Sequence, residues 1–556
     1  MGMFGRRALV LLVACLSLFV IAACGDDDDD GGGGGGGGGG QTGGEISIGT
    51  VGPDNADPVL WQTLQAVQAF APAYVPLMTY AHEEGSAGAK VIPGLAEEVP
   101  EPTNGGKTYA FMLRKGLKYS DGSPVKASDF ENTIKRLLKL GAAWSGFFTG
   151  IEGAADFTEK GDFSADIPGI ETDDKTGEIK VTLVQPDTKI LYALAEPYAA
   201  PTPAAKSPAK SLKQPPPGVG PYTLEVVDFS RKWVLKKNPN FPEIPDIPKA
   251  NFDTINIDVS DNVTKLTQDV ISGTLDFMTE DPTGDQLPEV REKYPERITE
   301  EPNPPNTYYF FLNVTLPPFD KQEAREAVNY ALDSNALVRV FGGRLQPSCN
   351  FLPPQLVGYK ELDCKYGDPS KPGDIDKAKE LVKQSGYEGQ DVTVWTNNKD
   401  PRPAIADYYR DVLNQIGFKA DIKTLDQQVY FEQVGLKRNK AQTGFTDWFQ
   451  DYPHPGDFFE PLLSSEALKA EVTFNEGFVS DPFIDKKLEE LRGKTPEESA
   501  DEWAELDDYV INKKAYVAVY GGEKSTSFFS ERMDAENCAG IHPVWKNDWL
   551  QFCKKG

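Results

Sequence analysis

Histidine is close to absent from this chain: His82, His454 and His542 are the only three in 556 residues. None lies in an H-E-x-x-H pattern or beside a G-x-S-x-G elbow, which removes the commonest signatures of metal-dependent and serine hydrolases. The six cysteines contain no C-x-x-C knuckle, so no zinc site announces itself. Gly218-Val219-Gly220-Pro221 is glycine-rich, but it places a proline after the second glycine and lacks a third. It reads as a tight turn into a strand at Tyr222 to Val227 rather than as a phosphate loop. Basic residues are also in deficit, 57 against 85 acidic ones, for a formal charge of −28. Such a surface repels phosphate backbones, so no nucleic-acid partner is expected. Carboxylates are numerous enough that a glycosidase-like pair is not ruled out by counting, yet nothing selects one. The expectation is a protein without catalytic residues, cofactor or resident metal.

What is present begins with an export signal. Arg6 and Arg7 form a positive start, and Ala8 to Ala22 is apolar but too short to span a bilayer as a helix. The run ends at Ile21-Ala22-Ala23-Cys24, where small residues before a cysteine suit lipoprotein processing. Cys24 is therefore the expected lipid-attachment site, with a plain secretory signal and an incidental cysteine as the alternative. Residues 1–24 are assigned to the signal and 25–44 to a disordered tether, since Asp26 to Asp30 and Gly31 to Gly40 can bury nothing. A Gly-rich coil of that length spans roughly 25 Å, enough to hold a folded body off a membrane. The aspartate run offers adjacent rather than alternating ligands and no closing Glu, so it is a solvated spacer rather than a calcium loop.

Four cysteines remain for the body. They allow three connectivities, and Cys349 with Cys364 and Cys538 with Cys553 close the shortest loops. Each such loop is worth about 3 kcal/mol in the chain-entropy description.

The body alternates strand and helix patterns, the mark of an α/β fold, and its length calls for two or three domains. Tyr109, Phe111 and Leu113 alternate as a strand; Ser128 and Glu131 fit a capping box before a helix carrying Phe130, Ile134, Leu137 and Leu138. Ile255, Ile257 and Val259 mark another strand. From about 303 the pattern is strand Tyr308 to Leu312, then a helix opened by Asp320 and Glu323, then a helix from Asp374 to Gly386. A strand at Val392 and Val394 follows, a helix over Ile405 to Ile416 ended by Gly417, and a strand at Phe418, Ala420 and Ile422. Proline-rich stretches at 201–217 and 302–305 read as connectors. Arg325, flanked by Glu323 and Glu326, reads as a structural brace.

One stretch stands out for binding. Asp447 to Phe459 packs five aromatics, three carboxylates and two prolines together. An aromatic wall with an acid beside it suits a ligand with an apolar part and a positive group, although aromatics also fill cores.

Six blocks occur in a telling order: TYAFMLRKGLKYSDGSPVKASDFENTIKRLL from Thr108, GVGPYTL with KKNPNF, FFLNVTLPPFDKQEAREAVNYAL from Phe310, AKELVKQSGY, YYRDVLNQIGFKADIKTLD and DWFQDYPHPGDFF. Together they resemble solute-binding protein family 5 of ABC importers, which includes oligopeptide, dipeptide and nickel receptors. The resemblance implies a periplasmic-binding-protein-like fold of two hinged α/β lobes around a ligand cleft. Lobe I would take 45–81, 196–302 and 500–556, an inserted domain 82–195, and lobe II 303–499. It also implies that Asp451 holds a peptide's α-ammonium while Trp448 lines the pocket, with Tyr452 and His454 beside them; His454 stands where the family commonly has Asp. The expected role is a monomeric, extracytoplasmic, lipid-anchored receptor that hands small peptides to an ABC permease and its ATPase subunits. Oligosaccharide or nickel-chelate ligands are the alternative, and an extracellular hydrolase the rival outside the family.

Overall fold

The computed structural model describes residues 41–556 except Gly161, Pro302 and Ala539. The signal, Cys24 and the tether as far as residue 40 lie outside the described residues. The last tether residues do not match the expectation of disorder. Gln41 exchanges backbone hydrogen bonds with Lys554, and Gly43 N–H donates to Asn251 O at 2.6 Å, so the entering chain is tied beside the C-terminus.

Three sheets organise the molecule. The largest has seven strands in the order Ile298–Glu300, Thr526–Phe529, Phe277–Met278, Glu45–Thr50, Thr254–Val259, Lys232–Lys237 and Tyr222–Asp228. A six-stranded sheet runs Leu345–Gln346, Val517–Glu523, Asn306–Leu312, Thr443–Phe449, Asp391–Asn397 and Lys419–Leu425. A three-stranded sheet joins Thr108–Met112, Glu178–Thr182 and Ile170–Asp173. The first and third sheets share one apolar core around Phe70, Phe130 and Trp233, and the six-stranded sheet has its own around Phe310, Tyr409 and Trp503. Asn306–Leu312 has strands on both sides, and all seven of its residues are buried. A continuous apolar run is what such a doubly covered strand requires.

The chain passes between the two larger sheets at two adjacent places. Glu301 N–H donates to Ser525 O at 3.0 Å, just where one strand enters the six-stranded sheet and another leaves it. The return therefore falls at Lys524 and Ser525 rather than at residue 500. The reason is that Val517–Glu523 pairs antiparallel with Asn306–Leu312, an alternation too uniformly buried to show its partner in sequence.

Local signals fared unevenly. Asp374 caps Ile375–Ser385 by accepting the Lys377 N–H at 2.9 Å, and Gly386 ends that helix at φ +79°, a left-handed position that glycine takes without strain. Gly417 ends Arg402–Ile416 in the same way. Two capping boxes are displaced. Helix Ala127–Lys139 starts after Lys126, whose N–H is taken by Asp129 at 3.0 Å, while Ser128 Oγ donates to Asp174. Helix Gln322–Ala331 starts after Lys321 without a side-chain cap, and Asp320 accepts the Tyr387 hydroxyl instead. Distant partners outcompeted the local caps in both cases. Gly218 and Gly220 serve close approach rather than a turn: a β-carbon on Gly220 would lie 2.5 Å from the Ala73 carbonyl carbon. Arg325 donates to the carbonyls of Phe319, Lys514 and Ala515, the bracing expected of it.

The structure joins Cys349 to Cys364 and Cys538 to Cys553, with Cα atoms 6.2 and 5.5 Å apart. No helix among the described residues is long and apolar enough to cross a membrane.

Candidate functional site

The aromatic stretch singled out in sequence lies where the strand Thr443–Phe449 ends at the edge of a cavity of about 700 Å³. That volume falls within the roughly 300–1,000 Å³ of small-molecule sites. One side of the cavity comes from this strand end, from helix Gly456–Leu463 and from helix Pro482–Leu491; the other comes from the turn Ala143–Phe148 and from Lys189.

The three carboxylates of the stretch have different fates. Asp447 forms an ion pair with Arg402, whose guanidinium also lies over the Phe445 ring at 4.3 Å, so its charge is spent locally. Asp457 is buried and accepts the Trp448 indole N–H at 3.2 Å and the Asp451 backbone N–H at 2.9 Å. Only the Asp451 side chain accepts no hydrogen bond and meets no cation among the described residues. It keeps contact with solvent in the cavity, yet the protein around it displaces enough water to push its carboxyl up to about 6. Asp457 is pushed well above the usual carboxylate range, first by burial and then by the charge of Asp451.

A further acid responds to the charge of Asp451. Glu196, on the segment joining the three-stranded region to the proline-rich connector, is buried, and burial together with the Asp451 charge raises it to about 8. Nearby Lys189 pairs with Glu460 and stands 3.6 Å from Asp187.

Trp448 is half-buried and meets Phe474 edge-on at 5.3 Å, giving the cavity one aromatic wall. Tyr452 gives the opposite one. It comes from the loop after the six-stranded sheet yet is buried in the other core, with its ring at 5.1 Å from Phe147 and 6.2 Å from Tyr192. His454 does not reach the cavity. Its Nδ1 accepts the Gly456 N–H at 2.9 Å, its ring packs against Tyr192 and Trp503, and burial lowers its pKa to about 3. It is a neutral packing residue behind the site, so the position where the family commonly has Asp carries no charge here.

Of the residues named from sequence, Asp451, Trp448 and Tyr452 are thus brought together and His454 is not. Sequence reading missed Phe147, Lys189, Phe474 and Arg492, which also line the cavity. They sit far apart in the chain, and only the tertiary contacts gather them.

Comparison with known proteins follows the same lines. A family model described as bacterial extracellular solute-binding proteins, family 5 (middle), matches residues 90–469. The glutathione-binding protein GsiB of Escherichia coli (strain K12) is 26% identical over 423 residues, covering 74% of this chain and 77% of that protein. GsiB of Salmonella choleraesuis (strain SC-B67) stands at the same identity and coverage. Among solved structures, clavulanic acid biosynthesis oligopeptide binding protein 2 superposes with a TM-score of 0.86 at 22% identity, over 93% of this chain and 96% of that one. The unliganded open form of the periplasmic murein tripeptide binding protein MppA superposes with a TM-score of 0.75 at 18% identity, over 93% and 99%.

Proposed function

Because the chain belongs to the bacterial extracellular solute-binding proteins, family 5, we propose that it captures small peptides for an ABC importer and hands them to a membrane permease. The observation that carries this reading is the unpaired Asp451 carboxylate, set beside Trp448 on a cavity with walls from two sides of the molecule. An ammonium entering there exchanges water for a carboxylate in a partly dehydrated site, where the attraction is much stronger than in bulk solvent. Trp448 and Phe474 cover an apolar neighbour of that ammonium, and the ring face of Trp448 favours the positive charge. Lobe I and its inserted domain meet lobe II at Phe147 and Tyr452, so closing the cleft and enclosing the ligand are one event.

Nothing in this role requires catalysis. Asp451 is a receptor's charge rather than half of an acid–base pair, and the histidine near it is neutral and turned away. Anchoring through a lipid on Cys24, with the Asp/Gly stretch as tether, completes the reading and places the receptor on the outer face of the cell membrane.

Thermal unfolding of the purified protein against di- to pentapeptides, oligosaccharides and nickel tests it. A ligand at about 100 times its dissociation constant adds roughly 2.7 kcal/mol to the folded state. Stabilisation by peptides that Asp451→Asn removes is the expected result. Stabilisation by sugar or nickel alone leaves the receptor role standing and replaces the ligand.

A further inference from the structure

Most charges around the cavity answer one another. Lys189 pairs with Glu460, Lys469 with Glu466 at 2.6 Å, and Asp485 accepts the Ser465 N–H at 2.8 Å. Glu489 has no such partner among the described residues, and neither has Arg492. It lines the cavity and is half-buried, and its guanidinium makes no hydrogen bond, ion pair or ring contact with any described residue. Its charge reaches Asp187 only through space.

The backbone around Arg492 is nevertheless fixed. Arg492 follows helix Pro482–Leu491, its carbonyl accepts the Thr188 N–H at 3.1 Å, and the Lys494 carbonyl accepts the Thr188 hydroxyl at 2.9 Å. A cation at a helix C-terminus gains a little from the helix dipole. That gain needs neither the guanidinium's place on the cavity nor its lack of partners. A second chamber of about 220 Å³ opens beside the main cavity between residues 146–150 and 183–190. The two spaces share Gly146, Phe147, Lys189 and Arg492, so Arg492 stands at the passage between them. The chamber also presents Thr149 and Gln185, polar groups without charge, and the Asp187 carboxylate, which Lys189 approaches to 3.6 Å and which burial holds above the usual carboxylate range.

A half-buried guanidinium offers a planar fork of donors that matches a carboxylate in two parallel hydrogen bonds. We propose that Arg492 is a carboxylate-binding residue of this cleft, and that the side chamber seats the ligand's acidic end while Asp451 holds its ammonium. This rests on the peptide-capture reading and narrows it to short zwitterionic ligands whose two charges span the main cavity. A peptide's α-carboxylate and an acidic side chain share this chemistry.

The test is calorimetric titration of the full chain, as wild type and as Arg492→Gln, with alanine oligomers of two to five residues, their C-terminal amides, and amides carrying one glutamate. Amidation is expected to weaken binding to the wild type by about tenfold or more and to Arg492→Gln by less than about twofold. Recovery of wild-type affinity in the glutamate amides assigns the site to an acidic side chain; no recovery assigns it to the α-carboxylate. Arg492→Gln should unfold close to the wild-type temperature, since the guanidinium it replaces makes no hydrogen bond, ion pair or ring contact with a described residue. Equal acid-to-amide ratios in the two proteins overturn the assignment to Arg492 and leave peptide capture intact. Failure of every peptide to bind the wild type overturns peptide capture and this assignment with it.

Discussion

The buried carboxyl of Asp457 accepts the backbone N–H of Asp451 at 2.9 Å, while the Asp451 side chain stands free in the cavity. One acid therefore positions the other. Asp457→Ala strands two donors, the Asp451 amide and the Trp448 indole, at a cost of about 1–3 kcal/mol, and releases the loop that carries the ligand's counter-charge. Asp457→Asn keeps an acceptor oxygen and replaces a carboxyl that burial already pushes toward its neutral form. Peptide affinity is expected to fall steeply in the alanine variant and to survive largely in the asparagine one. Unchanged titration of Asp457→Ala would show that the loop holds its shape without Asp457.

Asp451 also makes binding depend on pH. Its carboxyl is raised to about 6 in the empty cleft, and only the ionised form attracts an ammonium. Affinity for a neutral-side-chain peptide should be highest near pH 7, falling as pH drops through about 6 and Asp451 is protonated, and falling again above about 7.7 as the peptide's own ammonium loses its proton. For stability the sign is the reverse. A carboxyl raised above its unfolded value favours the fold when protonated, so its contribution is present at low pH and lost as pH rises through about 6. Ligand-free Asp451→Asn should therefore melt above the wild type at pH 7.5 and level with it near pH 3.5. A difference in melting temperature that does not vary with pH would place the raised pKa elsewhere.

The site was partly legible in the sequence because its first half is local. Trp448, Asp451 and Tyr452 fall within five residues, and an aromatic run with an acid after a strand is a pattern that chemistry alone makes suspicious. Which of Asp447, Asp451 and Asp457 stays free was not legible, because their partners are Arg402, 45 residues before Asp447, and the loop's own backbone. His454 misled for the same reason: its neighbours Tyr192 and Trp503 come from opposite ends of the chain. Helix stops marked by Gly386 and Gly417 could be read directly, since a left-handed φ belongs to the residue itself. Caps at Ser128 and Asp320 could not, since Asp174 and Tyr387 compete for those side chains from far away. The same distance effect hid the return of Val517–Glu523 to the six-stranded sheet.

Buried ionisable groups predict stability that declines toward both extremes of pH. Burial lowers His454 to about 3 and His542 to about 4, so each contributes stability above its unfolded value near 6.5 that is lost as pH falls below it. Burial raises Glu196, Glu301 and Glu476 to about 8, so each contributes stability that is lost as pH rises from about 4.5 through 8. His454→Gln should flatten the acid side of a melting-temperature profile, and Glu196→Gln the side between pH 6 and 8.5. Profiles of both variants parallel to the wild type would show that these groups keep their solution pKa values in the folded protein.

Closure itself can be tested at the seam where Lys189 meets Glu460 and Thr188 meets the backbone of Arg492 and Lys494. The ion pair is mostly shielded, with side chains 15% and 22% exposed, so it escapes much of the screening that makes surface pairs weak. Lys189→Met leaves Glu460 facing the cavity without its partner and adds an uncompensated negative charge to a region that already holds Asp451. Thr188→Val removes one hydrogen bond and keeps the shape. Both bonds exist only while the two sides touch, so losing either shifts the ligand-free population toward the open form by the energy lost. Small-angle scattering should report a larger radius of gyration for ligand-free Lys189→Met, a smaller increase for Thr188→Val, and recovery of the wild-type value in both at saturating peptide. Affinity should fall about five- to tenfold for Lys189→Met, the size of one partly buried charged contact. Radii and affinities equal to the wild type would mean that Phe147 against Tyr452, an apolar contact, holds the two sides together without help from the charges.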